Sequence, residues 1–572
     1  MTNNIRVFLW LAVGLALWLN YSQWQIDYGA KAAPAGTEVT GGTDTAGASK
    51  PTNINDAVPQ VDQPAATGST AADAAPAVAA SPTPAGADVE SAKSQKIRVT
   101  TDVLVLDISL TGGTLVRAEL PGYPVVKGEA DRVVLFNTDL PSTTYVLRTG
   151  LASADDPNGP THLATFTAPA DNFVLAPGQD ELRVPLTWTD GQGVTVTKTF
   201  IFKRSMFAIE LEYQIVNGTQ SPWHAASYAR IVRSDPPVER SMFKLESNVT
   251  RGPAYGEGDT YRKLNIEKKE DAALSVKVTN GWIAGIQHHF VSAVVPDRTT
   301  PHTFTMGVIG REYALTTVGE VQTVPPGATK TLKESLFVGP KLQKQLETLH
   351  PELSRVADYG VLTLISRPLF WLLDHAHNIV RNWGLAIILV TFLLKLLFYP
   401  LSEKAGRSMA RMRALAPRMK TLQETYKDDR SKLGQATMEL YKQEKVNPLA
   451  GCLPMLIQMP VFLAFYWVLL ESVEMRQAPF FGWINDLSAR DPYFILPVLN
   501  GLAMWGQSKL NPPPPDPVQA RIFQLMPIVF SVMFALFPAG LVLYWVTNTG
   551  LSILQQWNIN RKIAAEDAGR RK

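Results

Sequence analysis

The sequence feature that most constrains the fold is an apolar stretch, Asn382–Pro400, that contains a single lysine. Its length fits a membrane-spanning helix, and Trp383 and Tyr399 lie where interfacial aromatic residues are usual. Lys395 falls inside the stretch, and Thr391, four positions earlier, projects from the same helical face. A lysine inside a span costs roughly 2.5–3.5 kcal/mol, so it is expected to face a partner or a water-filled cavity. The alternative is snorkelling, because the end of the stretch is only about 7 Å of helical rise away.

Composition and motifs exclude several kinds of function. A single cysteine, Cys452, can form neither an intrachain disulfide nor a multi-cysteine metal site. The 572 residues contain no phosphate-binding loop and no His-Glu-x-x-His motif, so we expect no cofactor, no metal and no nucleotide hydrolysis. The net charge of +3 is too small to indicate nucleic-acid binding as a primary role.

The N-terminal part predicts an anchor followed by a linker. In residues 1–22, the apolar run Val7–Leu19 follows Arg6 and precedes several aromatic residues, which is typical of a retained membrane anchor with a cytoplasmic N-terminus. Residues 23–94 consist largely of Ala, Pro, Thr, Gly and Ser. Such a segment cannot bury enough surface to offset its ordering entropy, so we expect a flexible tether.

Residues 95–340 change to the alternation that is typical of β-strands. Val194–Phe202, for example, alternates polar with apolar residues and is preceded by a glycine turn. Helical periodicity is scarce in this region, so we expect one large antiparallel β-sandwich. Its candidate catalytic residues, such as His288, His289 and Glu210, have no motif spacing, and exposed strand faces explain them more simply.

Residues 341–382 are expected to connect this domain to the apolar stretch. Between positions 359 and 382, one polar stripe follows helical spacing and is formed by Arg367, Asp374, Asn378 and Arg381. The other positions are mainly apolar, which favours an amphipathic helix in the membrane interface. A core helix of the β-domain is the alternative, although so wide an apolar surface fits lipid better.

The segment 402–448 is polar and basic, with eleven Lys or Arg against six Asp or Glu and hence a net charge of +5. Its pattern predicts two helices that separate near Asp428–Asp429 and form a hairpin. Because positively charged loops stay in the cytoplasm, the helix that contains Lys395 would run inward. The methionines of the hairpin either pack its helices together or offer an adaptable contact surface; they are Met409, Met412, Met419 and Met438.

Four further apolar segments follow the hairpin, and they cover 453–470, 493–507, 522–537 and 541–557. With the anchor and the Lys395 helix they make six predicted spans, so that both termini lie in the cytoplasm and residues 23–382 are largely periplasmic. The predicted membrane core is 383–560, and a basic cytoplasmic tail covers 561–572. Polar residues recur inside these segments and suggest a hydrated groove among the helices; they are Gln458, Asn500, Gln524, Ser531, Tyr544, Thr547 and Asn548.

This core contains four sequence motifs, Lys445–Pro460, Arg476–Phe480, Asp486–Pro497 and Phe537–Tyr544. They resemble the motifs of the YidC/Oxa/Alb family of membrane protein insertases. The resemblance covers about residues 359–562, and the preceding anchor, tether and β-domain resemble the Gram-negative form of the family. It implies a multi-domain membrane protein, with a five-helix insertase core, an N-terminal anchor and a periplasmic β-supersandwich like that of sugar mutarotases.

The resemblance also implies the functional residues. The family has a positive residue, usually arginine, in a groove that is open to the cytoplasm and to lipid but closed to the outside. That position matches Lys395, while Thr391 and Gln458 match its polar neighbours. Lysine keeps the charge but lacks the planar fork of arginine. The aromatic part of the groove matches Tyr544 and Trp545, where the tryptophan departs from a second tyrosine that the family leads us to expect.

A function follows from this resemblance. It implies an insertase and chaperone, not an enzyme, that integrates nascent inner-membrane proteins into the bilayer alone or beside the Sec translocon. The basic hairpin and tail are candidate contacts for the ribosome. Two alternatives remain at this stage: a secondary transporter, although we find no internal repeat, and a membrane-anchored periplasmic carbohydrate-active enzyme.

Overall fold

The structure is a computed structural model of the chain, and it describes residues 58, 95–153, 155–156, 158–235, 251–426, 429–444, 453–510 and 517–570. The anchor predicted over 1–22 lies outside the described residues, and so does the tether predicted over 23–94, apart from Val58. Cys452 and the last two residues of the tail also lie outside them.

The described residues form two units. The first, called here the β unit, lies within Ala48–Asp358 and includes Glu471–Glu474. The second, called the helical unit, lies within Tyr359–Leu470 and Met475–Lys572.

The β unit consists mainly of strands arranged in two large sheets. In the described residues the strands are β1 (Lys96–Thr100), β2 (Val105–Ser109), β3 (Thr114–Pro124), β4 (Arg132–Val134), β5 (Tyr145–Ala152), β6 (Asn172–Val174), β7 (Glu181–Thr189), β8 (Val194–Lys203), β9 (Ala208–Asn217), β10 (Trp223–Ser234), β11 (Gly252–Glu257), β12 (Thr260–Lys263), β13 (Ser275–Thr279), β14 (Gly281–Ile286), β15 (Phe290–Val295), β16 (Pro301–Ile309), β17 (Glu312–Gly319), β18 (Gln322–Val324) and β19 (Thr329–Pro340). One sheet has the order β13-β16-β17-β10-β5-β3-β2-β1-β6, with β4 and β18 at its margins, and the other has the order β12-β11-β14-β15-β19-β9-β8-β7.

Alternation explains why these residues form strands with one buried face. In β8, Val194, Val196 and Phe200 are buried, while the threonines between them are only partly buried. One hydrophobic core takes side chains from both sheets, including Leu147 of β5 and Ile231 of β10 opposite the β8 side chains. Burial of apolar surface from two layers is what stabilises such a unit. The predicted all-β organisation of this region is therefore confirmed.

The helices follow or interrupt the strands. Within the described residues they are α1 (Lys269–Ala272) and α2 (Gln343–Leu349) in the β unit, followed by α3 (Thr363–Val380), α4 (Trp383–Leu397), α5 (Tyr399–Ala414), α6 (Ala416–Thr425), α7 (Arg430–Gln443), α8 (Leu453–Glu471), α9 (Ile495–Leu510), α10 (Pro517–Phe534) and α11 (Ala539–Arg570). Short 3-10 segments cover Pro141–Thr143, Pro351–Val356, Gly360–Leu362 and Val473–Met475.

Helix α3 corresponds to the predicted amphipathic helix. It buries Leu369 and Leu373 within the helical unit. A second apolar stripe is open, with 87% exposure at Leu364, 59% at Trp371 and 77% at Ile379. Apolar side chains therefore cover both a packed face and an unpacked face of this helix.

Helix α4 carries the lysine on which the sequence argument depends. The Asn382 side chain accepts a hydrogen bond from the Leu385 amide at 3.0 Å and so caps the start of the helix. A Cβ at Gly384 would lie 2.1 Å from a ring carbon of Phe480, so the packing here requires glycine. In the described residues no single helix has the length and hydropathy of a membrane span, whereas Trp383–Leu397 and Tyr399–Met412 together do, with a 60° bend between them.

The basic segment forms three helices, so the prediction of two helices was incomplete. The first arm is divided at Leu415, where α5 ends and α6 begins, because Pro417 lies in the first turn of α6 and a proline is tolerated there but not inside a helix. Met419 lies 3.6 Å from the Thr437 hydroxyl, which joins α6 to α7. The tail predicted over 561–572 is not a separate segment, because α11 runs without interruption from Ala539 to Arg570.

Candidate functional site

Three helices of the helical unit place polar side chains around one small cavity. Its volume is about 10 Å³, close to the space that one water molecule requires. The lining residues are Thr391, Leu394, Lys395 and Phe398 of α4, Gln458 and Val461 of α8, and Tyr544 and Asn548 of α11. A polar cavity between helices is a place where water or part of a substrate can be accommodated.

Lys395 has a hydroxyl group as its hydrogen-bond partner. Its Nζ donates to Ser552 Oγ at 2.8 Å, and Ser552 Oγ donates in turn to the Asn548 carbonyl oxygen at 2.7 Å. Lys395 forms no ion pair with any residue that the structure describes. The lysine also lies in the last turn of α4, where the helix dipole favours a positive charge.

Thr391 of α4 and Gln458 of α8 both line this cavity, and their polar groups have different hydrogen-bond partners. Thr391 is buried, and its hydroxyl donates to the Ile387 carbonyl oxygen of the preceding turn at 2.6 Å. The Gln458 amide nitrogen hydrogen-bonds to the Tyr544 hydroxyl and so joins α8 to α11.

The two aromatic candidates have different surroundings. Tyr544 is fully buried and stacks on Phe465 with a centroid distance of 4.3 Å. Trp545 points to another part of the bundle, with its ring 4.7 Å from the ring of Phe462 and 5.2 Å from the ring of Phe534. Of the five predicted site residues, Lys395, Thr391, Gln458 and Tyr544 therefore line the cavity, and Trp545 is not part of its lining.

Ser552 completes the environment of Lys395 and is absent from the sequence-based set. Tyr544, Asn548 and Ser552 follow each other at intervals of four, so they share one face of α11. That spacing is the sequence signal from which Ser552 could have been predicted as a site residue. The Asn548 side-chain oxygen is buried and has no hydrogen-bond partner among the described residues, so it can accept a hydrogen bond from a guest in the cavity.

Two aspartates stabilise the local structure of the motif Asp486–Pro497. Asp486 accepts hydrogen bonds from the Gln477 and Ser488 amides. Asp491 accepts from the Trp483 indole at 3.0 Å and from the Leu496 amide at 2.7 Å, which fixes the start of α9. The polar residues of this motif are therefore used for local structure. In the described part of the chain, no group of three His, Cys, Asp or Glu residues could hold a metal ion.

Comparison with known proteins gives consistent results along the chain. Residues 96–372 match the family model of the YidC periplasmic domain, and residues 375–566 match the model of the 60Kd inner membrane protein. The chain is 45% identical to the membrane protein insertase YidC of Thioalkalivibrio sulfidiphilus, with 100% of both chains covered. It is 43% identical to the protein of the same name from Methylococcus capsulatus, with 99% of both chains covered.

The chain belongs to the YidC family. Members of this family are membrane protein insertases of the inner membrane that carry a periplasmic domain, and the sequence-based prediction of an insertase is confirmed. A solved structure of an active YidC insertase covers 81% of this chain at 20% identity and a TM-score of 0.37. Membership does not favour the two alternatives, a secondary transporter and a carbohydrate-active enzyme.

Proposed function

We propose that this YidC family member inserts inner-membrane proteins through a hydrated groove that carries the charge of Lys395 and opens to the cytoplasm and to lipid. The observation that supports this most directly is the environment of Lys395, which hydrogen-bonds to Ser552 and has no acidic partner among the described residues. A lysine whose charge is not compensated inside a helical bundle needs water or an external anion. An acidic side chain of a substrate is such an anion.

The proposed topology has six spans with both termini in the cytoplasm, and residues 23–382 largely in the periplasm. The charge distribution supports this topology. Residues 402–448 have a net charge of +5, whereas residues 471–491 carry four acids and two bases. Positive segments are retained on the cytoplasmic side. In this arrangement the Lys395 cavity lies at the inner half of the membrane.

The mechanism follows from the cost of transferring polar groups through hydrocarbon. Lys395 attracts acidic residues in the substrate segment that must cross, and Thr391, Gln458 and Asn548 provide a polar lining along the path. The substrate's apolar helix then leaves along the apolar faces of the bundle, and its partition into lipid drives the step. The membrane potential adds about 2.3 kcal/mol per acidic charge per 100 mV in the outward direction, so no nucleotide is required.

The proposed partners are nascent inner-membrane proteins, the Sec translocon and the ribosome. The basic helices α5–α7 and the basic end of α11 support a ribosome contact, because ribosomal RNA is strongly negative. A chaperone role is part of the same proposal, since a bundle that receives apolar helices also shields them while they pack.

Substitutions at Lys395 test the proposal. In liposomes that contain the purified full chain, Lys395→Arg should retain insertion of a single-span substrate with an acidic outer tail. Lys395→Met should lower the insertion rate about tenfold, which corresponds to ~1.4 kcal/mol, and Lys395→Glu should abolish insertion. Lys404→Met is the matched control, because Lys404 is an exposed lysine on α5.

A substrate with a neutral outer tail separates charge attraction from general damage. Its insertion should change less than twofold in Lys395→Met. If Lys395→Met inserts the acidic substrate as fast as the unchanged protein does, snorkelling explains the lysine and the charged groove is wrong.

A further inference from the structure

The β unit contains a cavity of about 560 Å³ that the insertase mechanism does not use. This is within the size range of small-molecule binding sites. Strands of both sheets contribute to it, since Ser227 lies on β10, His302 on β16 and Glu334 on β19. These three lining side chains are buried.

Glu334 is an unsatisfied charged group in this cavity. It is 3% exposed, and neither of its carboxylate oxygens accepts a hydrogen bond from a described residue. Burial raises its pKa to about 7. The Ser227 hydroxyl and the charge of Lys198 lower this pKa but offset only part of the effect of burial. A buried carboxylate with so little compensation is costly, and such groups in proteins usually have a partner.

The other charged residues of the lining are already engaged. Asp297 accepts from Thr299, Arg298 donates to Asn280, Glu320 pairs with Lys277, Lys330 donates to Gln322 and Lys333 pairs with Glu212. Lys198 is a buried cation whose charge acts on Glu334, but its Nζ donates to the carbonyl oxygens of Gly112, Gly113 and Thr149 at 2.7–3.1 Å. Three carbonyl acceptors use all three protons of an ammonium group, so Lys198 has none left for Glu334.

His302 and Ser227 offer further acceptor atoms beside Glu334, and the Ser227 hydroxyl can accept a hydrogen bond while its proton is directed toward the carboxylate. His302 Nδ1 lies 3.0 Å from the Thr300 carbonyl oxygen and must therefore carry the proton. Because burial lowers the pKa of His302, the ring is neutral and its Nε2 is an acceptor. A Cβ at Gly319 would lie 3.1 Å from His302 Nε2 and 3.4 Å from Ser227 Oγ, so both atoms border the same space.

We propose that this cavity binds a primary ammonium group, with Glu334 as its counter-ion and His302 Nε2 and Ser227 Oγ as further acceptors. A primary ammonium has three donors and a compact charge, which fits three converging acceptors better than a planar guanidinium does. Val295, Pro296 and Leu332 supply apolar surface for the alkyl chain that carries the amine. The amine is supplied either by a free polyamine or by a lysine side chain of a polypeptide.

Calorimetric titration of the full chain in lipid nanodiscs tests this site. The probes are spermidine, a lysine with both its α-amino and carboxyl groups blocked, the same compound acetylated on Nε, and galactose. Binding of the blocked lysine, but not of its acetylated form, supports the proposal with a polypeptide as the source. Binding of spermidine alone supports it with a free polyamine as the source. If neither amine binds, or if galactose alone binds, the proposal is wrong.

Two variants connect binding to Glu334. Glu334→Gln should weaken amine binding at least tenfold, whereas Glu320→Gln, which changes an acid of the same cavity that already pairs with Lys277, should change it less than twofold. Binding to the unchanged protein should strengthen about tenfold between pH 6 and pH 8, because Glu334 must lose its proton with a pKa of about 7. An affinity that is equal in Glu334→Gln, in a protein whose near-ultraviolet circular dichroism is unchanged, would overturn the assignment.

Discussion

Glu334 and Lys198 are two buried ionisable residues of the β unit that differ in their hydrogen bonding. Lys198 donates three hydrogen bonds to backbone carbonyl oxygens, whereas Glu334 receives none from the described residues. The hydrogen bonds offset much of the desolvation cost of the ammonium, whereas the Ser227 hydroxyl and the charge of Lys198 offset only part of that cost for the carboxylate. Glu334 is therefore a site where stability is lower than the same fold could reach.

Glu334→Gln should stabilise the β unit in a pH-dependent way. The pKa of Glu334 is raised from 4.5 to about 7, so between these pH values the folded state binds more protons than the unfolded state. The stability that this group contributes is present below pH 4.5 and is lost as the pH rises through 7. At pH 8 the variant should gain about 3 kcal/mol at most, and at pH 4.5 it should gain little.

Thermal unfolding of the full chain, followed by circular dichroism at pH 4.5 and pH 8, measures this difference. Glu320→Gln is the control, because its carboxylate is exposed and already paired. A gain that is equal at both pH values would show that Glu334 does not carry the charge cost inferred here.

At the scale of elements, α6 and α7 form a small pair within the basic segment. They contact each other through Met419 and Thr437, and Arg418 pairs with Glu444 just after α7. Helix α5 is attached differently, because Arg407 forms an ion pair with Glu566 of α11 at 2.7 Å. The α6–α7 pair can therefore be removed while α5 stays attached to the core.

Replacing residues 416–443 with a short Gly-Ser linker should slow insertion several-fold and leave the melting temperature of the helical unit within about 2 °C. The reason is the proposed role of this basic, methionine-containing surface, which is to attract the ribosome or the substrate before the membrane step. Insertion from purified ribosome–nascent-chain complexes measures the effect. A variant that keeps the pair but replaces its lysines with glutamine is the control for charge, and an unchanged rate in the deletion would reduce α6 and α7 to a spacer.

For the whole molecule, the question is whether water reaches the cavity and from which side. Helices α4 and α9, at 15 and 16 residues, are about 22–24 Å long, against roughly 30 Å of hydrocarbon. Short helices favour a locally thin bilayer. A thin bilayer with a polar cavity shortens the dry part of the path for a substrate.

Cysteines placed singly at positions 391, 395 and 458, in a Cys452→Ser background, should react with a membrane-impermeant maleimide in inside-out vesicles. They should not react from the periplasmic face, because the groove is proposed to be closed there. A cysteine at position 386, which is buried and lies on the side of α4 away from positions 391 and 395, is the control for a packed bundle. Reaction from the periplasmic face would indicate a through-pore, and no reaction from either face would remove the physical basis of the mechanism.

The sequence predicted those features that depend on neighbours along the chain. Strand alternation in β8 and the shared helical face of Thr391 and Lys395 are periodicities of two and four residues, so they can be recognised locally. The boundaries were less accurate, since a tail expected to begin at 561 is part of a continuous helix. Nothing in the local pattern marks that point, because basic residues continue a helix as readily as they end it.

Contacts between distant residues could not be predicted. Lys395 and Ser552 are 157 positions apart, and only the packing of α4 against α11 brings them together. The β unit shows the same limit. His288 and His289 stack on each other, and Glu210 forms an ion pair with Lys203, so the polar residues first considered there do not form a common site. The cavity around Glu334 is formed instead by residues that no spacing in the sequence connects.

The continuity of α11 has a mechanical consequence. This helix has 32 residues, so it is a stiff rod about 48 Å long that carries Tyr544, Asn548 and Ser552 in its first half and Glu566 near its other end. A helix transmits axial and rotational displacement with little loss as long as its hydrogen bonds hold. A pull on the basic end would therefore turn or shift the face that carries Ser552, and so change the hydrogen bond between Ser552 and Lys395.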